Sequence, residues 1–204
     1  NGTSTANKIV VQALVRPGDV VLIDRDCHKS HHYGLVLSGA KPVYLDSYHL
    51  EEYSMYGGVP LKLIKNKLNE FKKVGRLDEV KMVLLTNCTF DGVVYNVERY
   101  MEEILAIKPD MVFLWDEAWF GYARFSSLFR RRTAMCAVRR LHKKYHSEKY
   151  RDQYQRQLES GRSMAGMPDP DQVKLRVYAT QSTHKTLTSL RQGSMIHIYD
   201  ELFA

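Results

Sequence analysis

The chain has 204 residues, with 30 Lys and Arg against 23 Asp and Glu, a net charge of +7, 44% hydrophobic and 26% charged residues. This is ordinary globular composition: it excludes a disordered or collagen-like chain, suits one domain or slightly more, and contains no apolar run near the roughly 18–20 residues of a membrane span. Three scattered cysteines (Cys27, Cys88, Cys136), with no C-x-x-C spacing, exclude a disulfide framework and suit a reducing cytosol, so a cytoplasmic location is expected.

Residues 3–15 (TSTANKIVVQALV) predict a helix started by Ser and Thr caps, and residues 16–19 (RPGD) a turn. Residues 20–24 (VVLID) predict a buried strand, 28–38 a helix closed by Gly39, and 42–45 (PVYL) a second strand. A Tyr- and Gly-rich loop runs to Gly57 and Gly58. Residues 60–74 predict an amphipathic helix with Pro60 in its first turn and Gly75 just past its end. Strands are expected over 80–85, 111–115, 177–180 and 194–199, a helix over 97–107, and a loop over 161–171. The recurrence of Ala134, Val138, Leu141 and Tyr145 predicts one long basic helix over 133–159.

Short apolar strands alternating with amphipathic helices predict an α/β domain, three αβα layers around a mostly parallel sheet. The basicity is local: residues 124–176 hold 14 basic and 5 acidic residues, a net +9, which leaves −2 for the rest. This basic helical segment is either a solvated insertion or a surface for a polyanion.

Ligands of such sheets sit beyond the carboxyl ends of the strands. Polar side chains cluster there: Asp24 to Ser30 (DRDCHKS), Thr86 to Gly92 (TNCTFDG), Asp116 to Trp119 (DEAW) and Gln181 to Lys185 (QSTHK). The helix start at Asn1, Gly2, Thr3, Ser4 and Thr5 adds free backbone N–H groups and hydroxyls, a natural phosphate cradle. Neither a Walker-type G-x-x-x-x-G-K-[ST] nor a G-x-G-x-x-G after a strand occurs, which disfavours an NTPase or a dinucleotide enzyme.

NGTSTANK, DRDCHKS, TNCTFDGVVYN, DEAW and QSTHKTL, in that order, resemble the fold-type-I pyridoxal-phosphate enzymes, in particular the bacterial ornithine/lysine/arginine decarboxylase family. The resemblance implies a cofactor-binding major domain, incomplete at both ends, cut from a longer cytoplasmic, oligomeric protein of amino-acid and polyamine metabolism. On it rests the expectation of a lyase that decarboxylates ornithine, lysine or arginine to its amine, with a homodimer or larger homo-oligomer completing the site. A membrane or nucleic-acid partner is not expected.

The resemblance also implies residue roles. Lys185 matches the lysine that forms the Schiff base with pyridoxal 5'-phosphate; by itself it reads as a surface lysine. Asp116 matches the carboxylate that pairs with the pyridine nitrogen, and by itself could be a helix cap. His28 matches a histidine stacked on the ring, with Ala118 packed beneath it and Trp119 walling the site or simply filling core. Gly2, Thr3 and Ser4 match the phosphate cradle, which Ser182 and His184 reach from the lysine loop. Asn87, Thr89 and Asp91 fall on a polar loop near the ring. His28 or Lys185 returns the proton to Cα. His31 and His32 have no counterpart and are expected at the surface; the three histidines are not expected to form a metal site, and Glu117 occupies a variable position. Two other readings compete: a different fold-type-I reaction such as transamination, and a non-catalytic binding or assembly domain that uses the basic segment.

Overall fold

The computed structural model describes residues 2–203; Asn1 and Ala204 lie outside the described residues. Helix α1 (Gly2–Leu14) leads to β1 (Val20–Asp24), α2 (Lys29–Ser38) and β2 (Lys41–Leu45). A small hairpin, β3 (His49–Leu50) and β4 (Met55–Tyr56), precedes α3 (Leu61–Lys73), β5 (Val80–Thr86), α4 (Val97–Leu105) and β6 (Val112–Asp116). Helices α5 (Ala134–Tyr145) and α6 (Glu148–Glu159) then lead to β7 (Arg176–Ser182) and β8 (Ser194–Asp200).

Six strands form one sheet in the order β2-β1-β5-β6-β7-β8, parallel except for the β7–β8 pair. Their side chains alternate between two apolar layers, as a strand buried on both faces requires. Leu22, Val83, Leu85, Phe113, Trp115 and Val177 join the layer carrying α3, α4 and α5. Val21, Ile23, Met82, Leu84, Leu114 and Tyr178 face α1 and α2 through Val10, Val11 and Leu35. This is the expected three-layer αβα architecture. From β1 the chain turns outward to β2 and then crosses back to β5, so the strand order reverses between β1 and β5. At such a switch point the loops part and leave a crevice at the carboxyl ends.

The expected strands all appear, with ends shifted by one or two residues. Gly39 takes the left-handed conformation (φ 68°) that closes α2, a geometry glycine adopts without a Cβ penalty. The loop before Gly57 contains the β3–β4 hairpin. Its strands of two residues are too short to carry an alternation signal, and the pair is held by an edge-on His49–Tyr56 contact at 4.9 Å.

The single long helix expected over 133–159 is instead two helices. In a straight helix, residues five apart point about 140° away from each other. Tyr145 and Tyr150 are both buried and their rings lie 5.2 Å apart, so the chain breaks between them. Ser147 makes the break: its hydroxyl accepts from Tyr150 N–H at 3.3 Å and donates to the Lys144 carbonyl at 2.6 Å.

Helix α5 buries Ala134, Ala137, Val138, Leu141 and Tyr145 against the sheet. Among the described residues, four of the basic segment's fourteen Lys and Arg residues are matched by ion pairs. Arg140 pairs with Glu98, Lys144 with Glu102, Arg151 with Asp171 and Arg176 with Asp200. Among the described residues no helix is long and apolar enough to cross a membrane.

Candidate active site

A cavity of about 570 Å³ opens at the carboxyl ends of β1, β5 and β6, within the range of small-molecule sites. It gathers every motif of the sequence analysis. Gly2, Thr3 and Ser4 come from the start of α1 and His28 from the start of α2. Thr89 and Asp91 follow β5, Asp116, Ala118 and Trp119 follow β6, and His184 and Lys185 follow β7. Two expected residues stand behind the wall. Ser182 is fully buried and its hydroxyl meets His184 Nδ1 at 2.9 Å. Asn87 is buried too, bonded to Glu117, the Arg132 carbonyl and Tyr95 N–H.

Asp116 is the most elaborately held group. Its Oδ2 accepts from Asn7 Nδ2 and from His31 Nε2, each at 2.8 Å, and its Oδ1 from Ala118 N–H at 3.0 Å. Asn7 is aimed in turn by Thr180, whose hydroxyl donates to Asn7 Oδ1 at 2.6 Å from the register position opposite Asp116. Burial by itself would raise the Asp116 carboxyl. The His31 contact, the Ala118 N–H and the Asn7 amide outweigh it and hold the group below the usual carboxylate range. Asp116 is therefore a fixed negative charge at neutral pH, 3% exposed on the cavity floor.

His31 corrects the expectation of a surface residue: it is completely buried and is one of the donors that keep Asp116 ionised. His32 is half-buried, with Nε2 3.5 Å from Cys27 Sγ and Nδ1 3.3 Å from Tyr44 OH. Sequence signals for the missed residues did exist. Asn7 lies one turn after Thr3 and is a polar side chain on the apolar face that buries Ala6 and Val10. His31 lies one turn after His28 on α2.

His28 caps α2: its Nδ1 accepts from Ser30 N–H at 3.2 Å and meets Ser30 Oγ at 2.8 Å, which leaves Nε2 for the cavity. Burial is the main cause that lowers its pKa, so the ring is neutral at pH 7. Lys185 Nζ rests 4.7 Å from the centroid of the Trp119 ring, a cation–π contact. Burial first, then Asp24, Asp26 and Asp116, push the Cys27 thiol up to about 12, so this cavity-lining cysteine is no thiolate nucleophile.

At the other end of the cavity, Gly2 takes a positive φ of 76° and its N–H donates to the Gln192 carbonyl at 3.1 Å. His184 Nδ1 reaches the Gly193 carbonyl at 3.2 Å. Because that oxygen only accepts, Nδ1 carries the proton. The hydroxyls of Thr3 and Thr86 both belong to cavity-lining residues and are buried with no hydrogen-bond partner among the described residues.

Glu117 is buried beneath the site. Its Oε1 accepts from Ala134 N–H at 2.7 Å and Asn87 Nδ2 at 3.2 Å, and its Oε2 from Gln181 Nε2 at 2.8 Å. It thereby ties the ends of β5, β6 and β7 to the first turn of α5. Burial, the largest influence, pushes its carboxyl up to about 7.

Three comparisons bear on this geometry. Residues 1–148 match the family described as Orn/Lys/Arg decarboxylase, major domain. The biodegradative arginine decarboxylase of Escherichia coli K12 is 34% identical over 206 residues, covering 97% of this chain and 23% of that protein. Lysine decarboxylase LdcA of Pseudomonas aeruginosa is likewise 34% identical, covering 98% of this chain and 23% of its own length. The solved structure of lysine decarboxylase A from Pseudomonas aeruginosa superposes with a TM-score of 0.69 over 98% of this chain and 23% of that one. A kynurenine aminotransferase of Pyrococcus horikoshii, 15% identical, shares the fold with a TM-score of 0.56 over 91% of this chain and 36% of its own. The chain thus spans about a quarter of the length of these decarboxylases.

Proposed function

Because the chain belongs to the Orn/Lys/Arg decarboxylase family, we propose that it holds pyridoxal 5'-phosphate and forms the catalytic floor of an enzyme that decarboxylates a basic amino acid. The observation that carries this reading is the single cavity in which Lys185, Asp116, His28 and the start of α1 meet.

The residues suit the cofactor. The unpartnered Thr3 hydroxyl, with the first N–H groups of α1, offers donors to an anion's oxygens, while the unpartnered Thr86 hydroxyl belongs to the residue opposite Asp116 in the β5–β6 register. Thr3, Ser4, the Gly2 backbone and His184 would hold the phosphate. Lys185 supplies the primary amine for covalent attachment, and Asp116 the fixed carboxylate for the ring nitrogen. The small side chain of Ala118 leaves room beneath the ring, and His28 and Trp119 supply flat surfaces beside it. When bound, the cofactor supplies the sink for the electron pair left as the Cα–carboxylate bond breaks.

The protein's own work is electrostatic and positional. Asn7, His31 and Ala118 keep Asp116 charged in a buried place, where water would otherwise have to do so. His28, with Nδ1 engaged by Ser30 and a lowered pKa, is mainly unprotonated at neutral pH and has little proton to give. We therefore assign the proton returned to Cα to the Lys185 ammonium, which Trp119 steadies from below.

The test is reductive trapping. The protein is incubated with pyridoxal phosphate, reduced with borohydride, digested and mapped by mass spectrometry. A phosphopyridoxyl group on Lys185, absent from Lys185→Ala, supports the reading; labelling elsewhere or nowhere overturns it. Carbon dioxide release from ornithine, lysine and arginine then identifies the substrate.

A further inference from the structure

On the far edge of the domain, helix α5 presents His142 and His146 one turn apart, with ring centroids 4.1 Å from each other. The turn after β8 brings Glu201 to the same place, its Oε1 3.2 Å from His142 Nδ1. One nitrogen or oxygen atom from each of the three residues lies within 4.8 Å of the other two. None of these residues lines the cavity that holds Lys185 and Asp116. From this geometry we infer a divalent transition-metal site of the zinc class, built by His142, His146 and Glu201, that clips α5 to the edge strand β8.

The argument begins with spacing. Two histidines at i and i+4 present their rings on one helix face, and a carboxylate from another element makes the set three-cornered. Zinc–ligand bonds of about 2.0–2.1 Å place tetrahedral ligand atoms about 3.3 Å apart. The 3.2 Å between His142 Nδ1 and Glu201 Oε1 already matches that separation. His146, exposed at the end of α5, has the farthest to move.

Outer contacts aim the ligands. Leu175 N–H donates to Glu201 Oε2 at 2.9 Å, which fixes the carboxylate with Oε1 toward the rings. His146 Nδ1 donates to the His142 carbonyl at 2.9 Å, which leaves the lone pair on Nε2. Metal-bound histidines commonly carry this kind of supporting bond.

Charge and space agree. Two imidazoles and one carboxylate suit a dication; of the nearby cations, Lys144 and Arg151 are paired with Glu102 and Asp171, and Lys174 lines the same adjoining cavity. A cavity of about 270 Å³, lined in part by His146 and Glu201, adjoins the site and has room for the water that completes the coordination. A mixed imidazole and carboxylate set selects zinc-like ions over magnesium or calcium, which take oxygen ligands.

The test is calorimetric titration of chelator-stripped protein with zinc chloride, repeated with His146→Ala and Glu201→Gln. One equivalent is expected to bind saturably, at concentrations below about 1 mM. Each substitution should weaken it by about tenfold or more. Both residues are exposed, and circular dichroism checks that each variant keeps its fold. Magnesium should give no heat of binding. No saturable zinc binding below about 1 mM overturns the inference. So does binding that survives His142→Ala with His146→Ala but disappears in Cys27→Ser with His32→Ala, the other pair of soft ligands, 3.5 Å apart.

Discussion

Glu117 offers the sharpest physical test. It is fully buried, and burial raises its carboxyl from 4.5 to about 7. A shift of that size corresponds to about 3 kcal/mol. The sign follows from proton counting. Between pH 4.5 and 7 the folded protein keeps the Glu117 proton and the unfolded chain does not. Stability is therefore lost as pH rises through this window, and the loss is complete above it. Glu117→Gln removes the titration. It still accepts the Ala134 N–H through its amide oxygen, while its NH2 requires the Gln181 amide to turn over. That adds an offset that does not depend on pH. The assay is urea unfolding of both proteins from pH 4.5 to 8.5. Asp24, pushed up to about 6 mainly by burial, titrates in the same range, but it is common to the two proteins and cancels in the difference. The variant should gain about 3 kcal/mol on the parent between the two ends of the range. Parallel profiles would refute the claim that burial controls this carboxyl.

Two further predictions probe the site and the fold. His31→Leu removes one of three donors to a buried carboxylate, a loss of about 1.5–3 kcal/mol, so pyridoxal phosphate should be retained roughly ten- to hundred-fold more weakly by equilibrium dialysis. Unchanged affinity in a folded variant would show that His31 does not act through Asp116. Ser147→Ala removes the cap that starts α6 and should cost about 1 kcal/mol in urea unfolding, and an unchanged midpoint would mean that packing of Tyr145 and Tyr150 alone holds the break.

Much of the architecture was legible because it depends on local periodicity. The apolar strands at Val20–Asp24 and Val112–Asp116, and the helices between strands, announce themselves by which residues avoid water. The break at Ser147 was written less clearly: a Ser cap followed by Glu148 is a real start signal, but the apolar repeat ran up to it and masked it. The motif residues Thr3, His28, Asp116 and Lys185 were visible as polar groups at the ends of apolar runs, the one place where such a sheet leaves room for a ligand.

What sequence by itself determined was therefore the layer plan, the family resemblance and the addresses of the reactive groups. Only the tertiary structure decided what surrounds them. His28 and His31 are three residues apart, yet one opens on the cavity and the other is sealed against Asp116, because His28 is the extended cap outside α2 and His31 sits within its first turn. Asn7 and Thr180 are 173 residues apart, and α1 packing and β-register bring them together so that Thr180 aims Asn7 at the Asp116 carboxylate. Glu117, adjacent to Asp116 in the chain, points to the opposite side of the turn and experiences the opposite outcome: each accepts from three donors, but Asp116 also has the electrostatic pull of His31, whereas Glu117 has the negative charge of Asp116 beside it on top of its burial. Protonation depends on the balance of desolvation against hydrogen bonds from distant segments, and that balance exists only once the chain has folded.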